Sequence, residues 1–177
     1  MQPWDYVTAS DIAERAGLAT AVFYRHFATR EQLLDELIRT MAADWLGTAT
    51  RGLGAARTPD ELCALTSALL GYLGSVEDQA KIYFLSSATA PAEIEAVRAA
   101  SHNGILVAAV DAVRRIAPGR APALIEINAV ALVALLELAA RSQLGVDEPF
   151  RILGLARFHE EMGRLTRIAT GFPDGGR

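Results

Sequence analysis

The chain has 177 residues, a formal net charge of −4, 51% hydrophobic and 21% charged residues, and a single cysteine. Such a length and hydrophobic share exclude a disordered chain and allow a core that needs no disulfide or metal, and the acidic balance excludes non-specific coating of nucleic acid or anionic membrane while leaving room for a small basic footprint. Cys63 alone forms no internal disulfide, and Met1 to Tyr6 has neither the basic start nor the apolar run of a signal peptide, so the reading is a soluble, cytoplasmic protein.

Alanine, leucine and arginine dominate, and neither strand alternation nor a fixed-period repeat occurs, so the elements are helices. Thr8-Ala9-Ser10-Asp11 is a capping box that starts a short helix, and Gly17 stops it. A second short helix covers Thr20 to Phe27. Thr29-Arg30-Glu31-Gln32 opens a longer one with Leu33, Leu34, Leu37, Ile38, Met41 and Trp45 at helical spacing, and Arg51-Gly52-Leu53-Gly54 reads as a loop. Thr58-Pro59-Asp60-Glu61 opens a helix ending near Gly74, and another runs from Asp78 to Ser87. Pro91, Pro122 and Pro149 each open a further helix, ending before Pro118, near Gly145 and near Gly171. The most apolar stretch, Leu124 to Leu136, is interrupted by Glu126 and Asn128 and reads as too short and too polar to span a bilayer. The fold class is all-α: a small helix-turn-helix head over residues 1–45, then a larger helical bundle over residues 46–177.

Two short helices joined at Gly17-Leu18 have the spacing of a DNA-binding helix-turn-helix, although a plain αα-hairpin fits that spacing equally well. Ile12, Ala13 and Ala16 supply a compact apolar face, and Phe23 and Phe27, four apart, turn inward. Thr20, Ala21, Val22, Tyr24 and Arg25 then face outward. An exposed valine suits a thymine methyl and an exposed tyrosine hydroxyl suits a phosphate.

Ile12-Ala13-Glu14-Arg15-Ala16-Gly17-Leu18, Phe23-Tyr24-Arg25-His26-Phe27 and Arg30-Glu31-Gln32-Leu33-Leu34 resemble the DNA-binding domain of TetR-family transcriptional regulators, over about Val7 to Ile38. The resemblance implies that Thr20, Ala21 and Val22 read base edges, that Tyr24 and Arg30 hold phosphate, that His26 lies near the backbone and that Ser10 reaches DNA. Two departures stand out. Ala19 occupies the place of the family's N-capping serine, which leaves either no cap or Thr20 one residue later. Only Met1 to Val7 precede the motif, too few for the family's first helix, so the expectation is a regulator short by one helix, with Trp4 and Tyr6 covering part of the core.

In the bundle, Leu124 to Leu138 is apolar nearly all round and is expected to be buried on every side. Leu155, Phe158, Met162, Leu165 and Ala169 form a 3-4 seam suited to a partner helix, so these two helices from each of two subunits would make a four-helix dimer interface; an intramolecular core is the alternative. Polar groups on otherwise apolar helices, Tyr72, Tyr83, Ser86, Ser87, His102 and Asn128, are the candidates for a pocket taking a small, largely apolar effector. No metal-ligand spacing, cofactor motif or nucleophile motif occurs, so neither metal, cofactor nor enzymatic activity is expected. The resulting expectation is a ligand-responsive repressor, a homodimer on a near-palindromic double-stranded DNA operator, with no membrane partner. An activator, a bundle that has lost DNA binding and an all-α enzyme are the rival readings.

Overall fold

The computed structural model describes residues 7–85, 92–145 and 148–172, and among them there is no strand. The helices are α1 (Ala9–Arg15), α2 (Thr20–His26), α3 (Arg30–Ala55), α4 (Pro59–Ser75), α5 (Glu77–Leu85), α6 (Ala92–Ile116), α7 (Pro122–Gly145), α8 (Glu148–Leu153) and α9 (Leu155–Ala169). Threonines set three of the starts: Thr8, Thr29 and Thr58 each accept from the backbone N–H three residues on, supplying a partner that the first turn of a helix lacks.

α1 and α2 pack on each other as a head, and α3 carries on from it into the bundle. There α3 lies along α6, α4 along α9, and α7 lies against α4, α5, α6, α8 and α9. The core runs through all of these helices, with Trp45 of α3 edge-on to Phe84 of α5 at 5.4 Å and Phe150 of α8 edge-on to Phe158 of α9 at 5.4 Å.

Three expectations change. Arg51 to Gly54 is not a loop, because α3 continues to Ala55. Gly52 is where Leu65 of α4 seats: a Cβ there would lie 2.2 Å from the leucine's Cδ1, so the glycine marks a close helix contact and not a turn. The last predicted helix is two, broken at Gly154, whose φ of 72° lies in the left-handed region where glycine carries no Cβ penalty. Finally, α7 is long and apolar enough to cross a bilayer by length and composition, since it extends over 24 residues and an 18-residue stretch of it has mean hydropathy 2.0; here it packs within the bundle, and its Glu137 and Asn128 are engaged by α6 and α9. Ser86, Ser87, Trp4 and Tyr6 lie outside the described residues.

The helix C-termini are finished by distant arginines. Arg115 of α6 donates to Leu53 O and Ala56 O at the end of α3, and Arg141 of α7 donates to Phe84 O at the end of α5. Arg120 donates to the carbonyls of Thr170 and Gly171 at the end of α9. Each places a cation where the last carbonyls and the helix dipole are negative.

Candidate functional site

The head is built from its caps. Thr8 and Asp11 close a full capping box: Asp11 N donates to Thr8 Oγ1 at 3.1 Å and Thr8 N donates to Asp11 Oδ2 at 2.8 Å. The Thr8 hydroxyl and backbone hold the Asp11 carboxyl below the usual carboxylate range. At the other end Gly17, at φ 69°, donates to Glu14 O and Leu18 N donates to Ala13 O, a Schellman stop that sends the chain sharply into α2.

α2 starts at Thr20 with Ala19 in the cap position and no side-chain cap. Thr20 does not replace it. Its hydroxyl lies 3.3 Å from Ser10 Oγ instead, a link across the α1–α2 crossing that joins two residues expected to face DNA. Phe23 is buried with Ala13 where the helices cross, and the Phe27 ring tilts against it at 5.7 Å. Ala16 is exposed, so the apolar face of α1 is narrower than its spacing implied.

The outer face of α2 carries Ala21, Tyr24, Arg25 and His26, all exposed, whereas Val22 and Thr20 are half-buried. Tyr24 is 58% exposed, yet its ring is held edge-on by the buried Phe23 at 5.4 Å. The hydroxyl is thus offered to solvent by a ring of restricted orientation. His26 leans on Phe27. Between α2 and α3 the polypeptide turns on Gln32, whose Oε1 accepts from Ala28 N at 2.7 Å while its backbone N–H caps on Thr29. Arg30, in the first turn of α3, donates from Nη1 to Val7 O and from Nε to Glu31 Oε1 at 2.6 Å. The guanidinium expected on phosphate is engaged within the head.

Residues 2–37, about a fifth of the chain, match the bacterial regulatory proteins of the tetR family. The chain carries a TetR-family DNA-binding head. No curated protein matches the chain.

Among the described residues the bundle interior is closely packed. Leu53 of α3, Leu65 and Thr66 of α4, Ile105 of α6, and Leu132 and Leu136 of α7 surround a void of ≈ 10 Å³, about the room of one water molecule. Thr66, the one polar residue of the wall, is committed: it donates to Leu62 O and pairs with Thr166 of α9 at 2.9 Å.

The four residues expected to bind an effector do not line that void, nor do they converge. Tyr83 is buried, its phenol bonded to Ser101 and pushed above its ordinary pKa by burial. The neighbouring His102 bridges to Glu137 of α7, Nδ1 to Oε1 at 2.7 Å. Asn128 lies nine residues earlier on α7, about 13 Å away along the axis. Its Nδ2 donates to Ala169 O and its Oδ1 accepts from Arg120, so the amide is part of the clamp on the end of α9. Tyr72 is half-buried on α4, and burial raises its phenol as well.

Of the expected partner seam, Leu155 and Leu165 are 54% and 41% exposed, whereas Phe158 is 1% exposed against Phe150 and Met162 is half-buried on the core. Sequence spacing grouped Phe158 with the partner seam, whereas α8 folds over it and takes it into the chain's own core. Four large apolar residues of α7, Leu124, Ile127, Val130 and Leu138, are more than half exposed, and Ile168 of α9 is 62% exposed. The helix expected to be buried on every side has one face left uncovered by the described residues.

Proposed function

We propose that the chain, whose residues 2–37 match the tetR family, is a DNA-binding transcriptional regulator and a homodimeric repressor, whose two heads dock in successive major grooves of a near-palindromic operator and are displaced when a small apolar molecule enters the bundle. The observation that carries the DNA reading is Tyr24, aimed outward from a buried aromatic anchor on the helix after a Schellman turn. On this reading Ala21 and Val22 meet base edges, with Thr20 beside them, Tyr24 and Arg30 meet phosphate, His26 lies near the backbone, and Ser10 reaches DNA from α1.

The apolar walls of the void support an effector without a charged group. Because the void holds about one water, the effector must favour a more open bundle; a differential affinity worth about 1–3 kcal/mol would give a typical coupling. Tyr83 of α5 and His102 of α6 are the polar groups offered to such a molecule as the bundle opens. The exposed faces of α7 and α9 support the dimer. The cytoplasm, where such an operator lies, is the place of action.

Over residues 1–40 four arginines stand against six carboxylates, which favours weak non-specific binding and dependence on two heads together. The same acidity supports a second reading, a ligand-binding bundle that no longer binds DNA. Duplex selection from random-sequence DNA by the full chain, followed by binding measurements at several salt concentrations, separates the two. The repressor reading expects a selected duplex with inverted half-sites whose affinity falls steeply with salt, and expects Tyr24→Phe to weaken it about five- to ten-fold through a lost phosphate hydrogen bond. If no duplex is enriched, the second reading stands.

A further inference from the structure

The start of α3 already holds an anion. The Glu31 carboxylate is kept below the usual carboxylate range first by its own backbone N–H and then by Arg30, so it is ionised at neutral and mildly acidic pH. It therefore sits at a helix N-terminus, facing backbone N–H and dipole, with a guanidinium beside it. A DNA phosphate would seek the same surroundings, since carboxylate and phosphate are both bound through the fork of N–H donors on arginine.

The two ends of this contact differ in freedom. The Arg30 side chain is 27% exposed and anchored to Val7 O, the residue that leads into α1. The Glu31 side chain is 58% exposed and can turn away into solvent by rotating its own bonds. Arg30 is pre-placed, and Glu31 covers its Nε.

We propose that Glu31 is a built-in competitor of DNA phosphate for Arg30, so that the Arg30–Glu31 pair sets the affinity of the head. The inference rests on the reading that α2 and the first turn of α3 face DNA. Docking then exchanges one anion for another: the carboxylate swings out, phosphate takes the Nε edge, and the bond to Val7 O keeps the guanidinium in place. The net gain from Arg30 is smaller than that of an unoccupied arginine.

The test measures affinity for the duplex that the wild-type full-length chain selects from random-sequence DNA, at one fixed salt concentration. Glu31→Gln removes the competing charge at nearly constant shape. It is expected to tighten binding by about two- to five-fold per head, the range spanned by an exposed ion pair, and about four- to twenty-five-fold for two heads. In an Arg30→Met background the same change is expected to add no more than Glu36→Gln does, Glu36 being another exposed carboxylate of α3. Equal tightening by Glu31→Gln with and without Arg30, or equal effects of Glu31→Gln and Glu36→Gln, would reduce the effect to net charge and overturn the proposal. If Arg30→Met fails to fold, the Glu36→Gln comparison decides alone. A wild-type chain that selects no duplex overturns the DNA reading and takes this inference with it, whereas a selected duplex with equal Glu31 and Glu36 effects overturns this inference only.

Discussion

His159 shows how one side chain ties the last helix to the rest. Its Nε2 lies 2.8 Å from Gln143 Oε1 on α7, and Gln143 Nε2 donates to Leu70 O on α4 at 3.1 Å. Gln143 is buried, so both ends of its amide need a partner, and this chain from α9 through α7 to α4 supplies one to each. Burial lowers the His159 pKa from its ordinary 6.5. The sign follows: below about pH 6.5 the unfolded chain takes up a proton that the folded chain resists, so the unfolded state binds more protons and stability falls as pH drops through that window. Above it the effect is absent. His159→Gln, which keeps a hydrogen-bonding group toward Gln143, is expected to reduce the loss in urea midpoint between about pH 7.5 and about pH 5.5. An unchanged loss in that variant would mean that another group carries the acid sensitivity.

At the scale of elements, glycines in helices separate into two kinds. Gly71 in α4 is exposed with nothing within 4 Å of where a Cβ would stand. Gly71→Ala is expected to stabilise the chain by about 0.5–1 kcal/mol, from helix propensity and a stiffer unfolded chain. Gly52→Ala adds the same methyl against Leu65, 2.2 Å from its Cδ1, and the adjoining void of ≈ 10 Å³ is too small to take the displaced leucine. That variant is expected to lose about 1–3 kcal/mol by overpacking, despite the same propensity gain. Thermal melts of the pair decide; an equal rise in both would show that Leu65 moves aside freely. The same contrast explains what could be read in advance. The caps at Thr8, Thr29 and Thr58 and the stop at Gly17 were legible because cap chemistry is local to three or four residues. Gly52 and Gly154 were not, since a glycine looks alike in sequence whether it receives a leucine or turns the chain. The α2 face was legible down to Tyr24 because residues four apart share a helix face. Asn128, Phe158 and the arginines on distant helix ends depend on which helix lies across them, and periodicity along one helix carries no such information.

At the scale of the whole molecule, the uncovered stripe of α7 is the largest departure from a self-sufficient bundle. Leu124, Ile127, Val130 and Leu138 recur at three, three and eight residues, which keeps them on one side of the helix, and Leu165 and Ile168 of α9, which packs on α7, are exposed as well. A contiguous apolar face of this kind marks an interface. In the proposed dimer a second copy of the same face, related by a two-fold axis, would cover it with like residues and place two heads for two half-sites. Ile127 is 62% exposed and Val130 53%, so a charge at either position meets solvent in the isolated chain and leaves its fold intact. In a dimer the same charge is buried without a partner and is costly. Ile127→Glu with Val130→Glu is therefore expected to give a folded monomer in sedimentation, with unchanged helical circular dichroism. Operator affinity should fall by about 10²-fold or more, because the second head no longer binds at high effective concentration. A double variant that still sediments as a dimer would place the contact elsewhere, and a wild-type chain that is already monomeric at micromolar concentration would leave the stripe of α7 without its assigned partner.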